Sequence, residues 1–94
     1  MKVRRTERFK KDYQKLPSDV QRRVDEKLRF LLHDMRYPSL RVHKLRDLEE
    51  LWEFSVTMNY RVIFEIKDEC YVLLAVGPHR IVDRSCESRT RIAL

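Results

Sequence analysis

The feature that most constrains the fold is a stretch from residue 52 to residue 76 that is rich in strand-forming side chains. Two runs in it, beginning at Trp52 and Tyr60, alternate apolar with polar residues, and a third run beginning at Cys70 is almost wholly apolar. A period of two is typical of a strand with one buried face, and short polar breaks between runs favour hairpins. The sequence therefore predicts three consecutive antiparallel strands whose apolar side faces a core.

The first break indicates which residues of the first two strands pair. A two-residue turn would set Val56 against Arg61 and bring a charge onto the apolar face, whereas a three-residue loop at 57–59 pairs Val56 with Tyr60. Asn59 tolerates the left-handed conformation that such a loop needs at its last position. We therefore expect Arg61 to lie on the face away from the core.

The same argument at the second break, residues 67–69, pairs Ile66 with Cys70. The opposite face is then expected to carry Glu53, Ser55, Arg61, Ile63, Glu65, Tyr71, Leu73 and Ala75. The predicted core face of the sheet comprises Trp52, Phe54, Val56, Tyr60, Val62, Phe64, Ile66, Cys70, Val72, Leu74 and Val76.

The N-terminal half has the apolar spacing of helices. Residues 2–5 suit a short strand, Thr6 can cap a first helix, and Pro17 ends that helix. Ser18 and Gln21 have the spacing of a capping box, and a second helix is predicted from the apolar positions that follow. These positions are Val20, Val24, Leu28, Leu31 and Leu32.

These elements together predict an α+β fold. An N-terminal strand and a helical hairpin pack on one face of a small, mainly antiparallel sheet, and the connector at 41–44 suits a further short strand. With 94 residues the chain fits a single domain, 1–94. No apolar run approaches the roughly 20 residues of a membrane span, and the charged start lacks a secretory signal, so we expect no membrane contact and a cytoplasmic location.

Composition narrows the classes of partner and cofactor. Cys70 and Cys86 lack the spacing of a metal site, so reduced thiols and no metal or cofactor are expected. The net charge of +6 and the pI near 9.6 favour an anionic partner. Nucleic acid and an acidic protein both fit that charge.

Two side chains near the strand ends are candidates for chemistry on a phosphate. Pro78 ends the last strand, because proline cannot donate to a ladder, and the turn that follows can bring His79 toward Arg61. An arginine fork and a histidine could hold a phosphate and move protons beside it. In the alternative interpretation, Arg61 is a surface charge that pairs with Glu53 or Glu65, and His79 has no role.

Further basic residues could form a rim around that site. His43, Lys44 and Arg46 lie just before the first long strand, and Arg80 follows His79. These four are predicted to contact RNA if the partner is a nucleic acid. They could equally be charges that solvate a loop.

The order of elements resembles the RelE/ParE toxin superfamily, the toxic halves of type II toxin–antitoxin pairs. The resemblance covers nearly the whole chain and implies a cognate antitoxin as a partner. The segments that carry it are FKKDYQKLP in the first helix, the PSLRVHKL connector, LWEFSV followed by NYRVIFEI, and LLAVGPH at the last strand.

The resemblance implies roles for a few positions. In RelE-like members that cut messenger RNA on the ribosome, the arginine of a Tyr-Arg pair contacts the scissile phosphate, and Arg61 matches it. His79 matches the histidine that some members use just past the last strand. The implied reaction is attack of a ribose 2′-hydroxyl on the adjacent phosphate, which needs a base, an acid and a cation but no metal.

Other positions depart from that pattern. Glu53 and Ser55 stand where RelE-like members place lysines, and Arg80 or Asp83 stands where many have a tyrosine. Glu53 and His79 could take over proton transfer in a metal-independent endoribonuclease. Alternatively the chain is a ParE-like poison of DNA gyrase without nuclease activity, or an inactive relic that only binds its antitoxin.

Overall fold

The sheet and its two helices follow the predicted α+β arrangement. The computed structural model describes residues 1–45 and 51–78. The elements are β1 (Lys2–Arg5), α1 (Glu7–Gln14), α2 (Ser18–His33), a 3₁₀ turn (Pro38–Leu40), β2 (His43–Lys44), β3 (Leu51–Ser55), β4 (Tyr60–Lys67) and β5 (Cys70–Pro78). The strand order in the sheet is β1-β5-β4-β3-β2, antiparallel throughout except that β1 runs parallel to β5. None of the described helices is long and apolar enough to cross a membrane.

The helices pack on one face of this sheet and form the main core. Four of the five apolar positions predicted for α2, Val20, Val24, Leu28 and Leu31, are buried in this core. The fifth, Leu32, is 43% exposed, so its expected place on the apolar stripe is wrong. Phe54 and Phe64 meet them from β3 and β4 with ring centroids 5.8 Å apart. The principal buried residues of this core are Phe9, Val20, Val24, Leu28, Leu31, Leu40, Phe54, Val56, Val62, Phe64, Tyr71, Leu73 and Val76.

The first hairpin has the predicted register. Ser55 pairs with Arg61, and the amide of Val56 donates to the carbonyl of Tyr60 at 3.0 Å across the loop. The three-residue loop is confirmed. Arg61 consequently lies on the face away from the helices.

The second hairpin differs from the prediction. Lys67 pairs with Cys70 and Ile66 with Tyr71, because the turn consists of Asp68 and Glu69 alone. Both turn residues have positive φ, 52° and 59°, the conformation of a tight hairpin turn whose twist matches the flanking strands. The expected pairing of Ile66 with Cys70 is therefore wrong by one residue.

Farther along β5, a β-bulge returns the side chains of the strand to the sheet faces that the sequence predicts. Phe64 pairs with Leu73 but Ile63 pairs with Ala75, so Leu74 has no direct partner on β4. Tyr71 and Leu73 thus join the helix-side core, whereas the predicted core residues Val72 and Leu74 belong to a second cluster. That second buried cluster comprises Leu45, Leu51, Ile63, Val72, Leu74 and Ala75.

The bulge is held by side chains of the first helical segment. The Thr6 hydroxyl donates to the carbonyl of Leu73 at 2.8 Å and accepts from the amide of Phe9 at 3.2 Å, which confirms Thr6 as the cap of α1. The amide of Val76 donates to Asp12 Oδ2 at 3.2 Å. These bonds satisfy backbone groups on both sides of the bulge and join α1 to β5.

The capping box predicted for α2 does not form. Pro17 occupies the cap position and makes no side-chain cap bond, so Ser18 is already the first helical residue. The Gln21 amide instead donates to the carbonyl of Tyr13 at 2.8 Å, at the end of α1. Gln21 therefore links α2 to α1 rather than capping α2.

We expect Thr6→Val to lower the free energy of unfolding by about 1–3 kcal/mol. Valine keeps the shape of threonine but leaves the Phe9 amide without its cap and removes the hydroxyl bond to the bulge. Thr6→Ser keeps the hydroxyl and is the matched control, with a smaller expected loss. Urea denaturation of the two variants compares them, and equal losses would show that the hydroxyl bonds contribute little.

Candidate functional site

Arg61 lies on the sheet face opposite the helices, at the end of β4 beside the 57–59 loop. Its direct neighbours are Ser55 on β3 and Gly77 on β5. Gly77 has no positive φ, so its importance is the missing side chain beside Arg61 rather than backbone freedom. The small neighbours leave space on this face around the guanidinium.

The β3–β4 loop fixes the direction of the Arg61 side chain. Its Nη1 donates to the carbonyls of Thr57, Met58 and Tyr60 at 2.6, 3.1 and 3.1 Å. The side chain is only 15% exposed. A cation held in this way needs little reorganisation when it meets an anion.

Glu53 links Arg61 to a histidine on the edge strand. Its Oε1 lies 2.9 Å from His43 Nε2 and 3.9 Å from Arg61 Nε. The Glu53 side chain is 6% exposed, whereas His43 is 58% exposed. Burial of a carboxylate is unfavourable unless it is paired, and these two neighbours supply the pairing. Glu53 Oε2 is buried without a hydrogen-bond partner among the residues that the structure describes.

The backbone of the connector positions His43 from its other side. His43 Nδ1 lies 3.2 Å from the carbonyl oxygen of Arg41, a residue with a left-handed φ of 49°. A non-glycine residue in this region is strained, and such strain often accompanies a functional constraint. Lys44, the next residue of β2, extends over the ring of Trp52 at 5.7 Å on the other face. The structure therefore brings His43, but not Lys44, to Arg61.

A shallow cleft of about 360 Å³ opens beside Arg61. Arg41 reaches it from the connector and Arg61 from β4, and Met58 on its rim is 89% exposed. Ser39, Ser55 and Thr57 add hydroxyl groups to the lining. Two guanidinium groups with nearby hydroxyls suit a phosphate, because arginine forks bind its oxygens in pairs.

The sequence interpretation found part of this arrangement. It proposed Arg61, Glu53 and His43, which the structure places together, and its alternative pairing of Arg61 with Glu53 corresponds to the 3.9 Å contact. It missed Arg41, for which the only signal was a basic residue in the connector two positions before β2.

Three predicted site residues, Arg46, His79 and Arg80, lie outside the described residues. Within residues 1–45 and 51–78, no group of three or more His, Cys, Asp or Glu side chains could hold a metal ion. The chemistry of the described site therefore rests on Arg61, Arg41, His43 and Glu53.

Much of the remainder of this sheet face is apolar. Toward the other end of the strands it carries the second buried cluster, including Ile63 and Ala75, both 0% exposed. Tyr71 and Leu73 are predicted on this face, but the shifted register replaces them with Val72 and Leu74. Glu65, which pairs with Leu51, also lies here as predicted, and the candidate site occupies the end of the face near the 57–59 loop.

Comparisons with known proteins agree on one kind of protein. The sequence profile described as ParE toxin of type II toxin–antitoxin system matches residues 3–82. A sequence comparison with curated proteins finds no match.

Among solved structures, a free form of the Escherichia coli toxin RelE is similar with a TM-score of 0.73 and 24% identity, covering 97% of this chain and 96% of that one. The E. coli RelBE toxin–antitoxin complex contains a chain with 25% identity and a TM-score of 0.66, covering 82% and 94%. A RelBE toxin–antitoxin complex from Mycobacterium tuberculosis contains a chain with 29% identity and a TM-score of 0.63, covering 83% and 96%.

Proposed function

This chain belongs to the ParE toxin family of type II toxin–antitoxin systems, within the RelE/ParE superfamily, and we propose that it blocks translation by cleaving messenger RNA on the ribosome. The observation that carries the proposal is the placement of Arg61. Loop carbonyls hold its guanidinium at the side of a cleft that also contains Arg41. In the resemblance to RelE-like nucleases, Arg61 matches the arginine that contacts the scissile phosphate.

The chemistry of RNA cleavage suits that placement. When a 2′-hydroxyl attacks the adjacent phosphate, negative charge grows on the non-bridging oxygens. A preorganised guanidinium stabilises that charge more in the transition state than in the ground state. Arg41 would hold the same phosphate or its neighbour, and the hydroxyls that line the cleft add donors.

We propose that a cognate antitoxin neutralises this activity in the cytoplasm. Two of the neighbours, from E. coli RelBE and M. tuberculosis RelBE2, are toxins in complex with an antitoxin. The net charge of +6 favours an acidic partner, since complementary charge accelerates association and disfavours wrong partners.

A second candidate is poisoning of DNA gyrase without cleavage of RNA. The matching profile is that of the ParE toxins, and Glu53 occupies a position where RelE-like nucleases carry a lysine. The Glu53 carboxylate 3.9 Å from Arg61 partly offsets its positive charge, which weakens attraction to a phosphate. This observation favours binding to a protein target.

Controlled expression in a bacterial host distinguishes the two candidates. We expect growth to stop and incorporation of labelled methionine to fall before incorporation of labelled thymidine. Loss of thymidine incorporation first would favour gyrase. Unaffected growth from a chain that is folded and soluble would contradict both.

A further inference from the structure

His43 is the one described side chain of the site that combines exposure with a fixed orientation. It is 58% exposed, whereas Glu53 and Arg61, which lie beside it, are almost buried. We propose that His43 is the general acid of the cleavage reaction and that Glu53 is its positioning residue. This inference rests on the proposed function as an RNA-cleaving toxin.

The burial of Glu53 argues against direct proton transfer between its carboxylate and RNA. Its side chain is 6% exposed and its Oε1 is already engaged by His43 Nε2 at 2.9 Å. A carboxylate in this position holds one nitrogen of an imidazole and fixes the ring orientation. The exposed part of the pair, and so the part that a substrate can reach, is His43.

Each nitrogen of the His43 ring faces an acceptor. Nε2 faces the Glu53 carboxylate and Nδ1 faces the carbonyl of Arg41 at 3.2 Å, and both partners are acceptors. Only an imidazolium donates from both nitrogens at once. That form of His43 has the proton at Nδ1 that a general acid must supply.

The two arginines of the cleft relate it to this donor. His43 Nδ1 faces the carbonyl of Arg41, and Arg41 lines the cleft together with Arg61. A phosphodiester held between the two guanidinium groups would therefore lie on the Nδ1 side of the ring. The longer, exposed contact to the Arg41 carbonyl is the one that a substrate can displace.

The proposed cleavage involves only the RNA, solvent water and His43. The ribose 2′-oxygen forms a bond to phosphorus and its proton passes to solvent water, while the bond between phosphorus and the 5′-oxygen breaks. The leaving 5′-oxygen takes the proton from His43 Nδ1. A cyclic phosphate and a free 5′-hydroxyl result, and neutral His43 keeps its contact with Glu53.

Within residues 1–45 and 51–78, the charged groups around His43 come from β3, β4 and the connector. Glu53 approaches it from β3, and Arg61 lies beyond Glu53 on β4. Arg41 and Lys44 are its charged neighbours along the chain, and Lys44 extends over Trp52 instead. A glutamate at 53 favours the imidazolium, whereas a lysine there would repel it. The glutamate at position 53, in place of the lysine of RelE-like members, therefore suits His43 as its neighbour.

The first test replaces His43 and restores the reaction chemically. We expect His43→Ala to reduce the cleavage rate on messenger-programmed ribosomes by about 10²–10⁴-fold. A messenger with sulfur in place of the 5′-bridging oxygen at the cleavage position has a leaving group that needs no acid. On that substrate His43→Ala should be nearly as fast as wild type. His33→Ala, at the exposed end of α2, is the matched control and should behave as wild type on both messengers.

The second test changes the charge of Glu53 while keeping its shape. We expect Glu53→Gln to move the alkaline limb of the pH–rate profile to lower pH, because the imidazolium loses its negative neighbour. A merely structural role would lower the rate without moving the limb. Thermal melting of each variant checks that the fold is intact.

Three results would overturn these ideas at different levels. Wild type that leaves messenger intact overturns the proposed function and this inference with it. Wild-type cleavage that His43→Ala retains, or that the sulfur substrate fails to restore, overturns the role of His43 alone. A limb that does not move in Glu53→Gln overturns the role of Glu53.

Discussion

Replacing Arg61 with alanine is expected to reduce cleavage of ribosome-bound messenger RNA by about 10²–10³-fold. The guanidinium is held by loop carbonyls beside the cleft, so it is ready to meet charge that develops on the phosphate. Arg61→Lys should recover only part of the rate, because a point charge cannot reproduce the two-pronged contact of arginine. Primer extension on programmed ribosomes measures both rates.

The control for this variant is Lys67→Ala, an exposed cation at the far end of the same strand. It should leave the cleavage rate unchanged. Arg61 also ties the 57–59 loop, so thermal melting must show that Arg61→Ala remains folded. Full activity in a folded Arg61→Ala variant would remove Arg61 from the site.

Two adjacent leucines of α2 should differ sharply in their effect on stability. Leu31 is 0% exposed in the helix-side core and Leu32 is 43% exposed. Leu31→Ala should lower the free energy of unfolding by about 2–5 kcal/mol, which combines lost burial with the cavity left behind. Leu32→Ala should change it by less than about 0.5 kcal/mol, as for most surface substitutions.

Urea denaturation measures both changes on the same scale. A domain of this size is stable by roughly 5–15 kcal/mol, so the Leu31 change takes away a large share. Similar effects at the two positions would show that α2 is rotated relative to the sheet and that the core is misassigned.

The sequence was sufficient to predict the element types and the first hairpin. A period of two in β3 and β4 and the helical spacing of α2 each indicate one buried face, and the charge on Arg61 excludes the competing loop length. The second hairpin could not be predicted in this way. Its strand β5 is apolar on both faces, so a one-residue shift in register would bring no charged side chain into the core. Non-glycine residues also occupy both turn positions, which hides the tight turn in the sequence.

The bulge escaped prediction for a related reason. Leu73 and Leu74 are both apolar, and nothing in the local sequence shows which of them faces the helices. In the structure Leu73 faces the helices, and the Thr6 hydroxyl donates to the Leu73 carbonyl across 67 positions of sequence. Contacts of that range do not follow from local patterns.

Part of the candidate site was proposed from the sequence, but its contacts were not. Arg61 was proposed because it matches a position of a similar family, and Glu53 because it stands where RelE-like members place a lysine, whereas Arg41 was missed. The burial of Glu53 and its contact with His43 depend on the pairing of β2 with β3, which involves only two residues of the edge strand. So short a strand has too little pattern to fix its register. The roles assigned to His79, Arg80 and Arg46 stay predictions.

The central claim is that this toxin acts on messenger RNA. The most direct measurement incubates purified wild-type chain with programmed ribosomes and maps the messenger ends by primer extension. The same preparation is added in parallel to a DNA gyrase supercoiling reaction. We predict new messenger ends that appear only when ribosomes are present, together with unaffected supercoiling. Intact messenger alongside inhibited supercoiling would contradict the account.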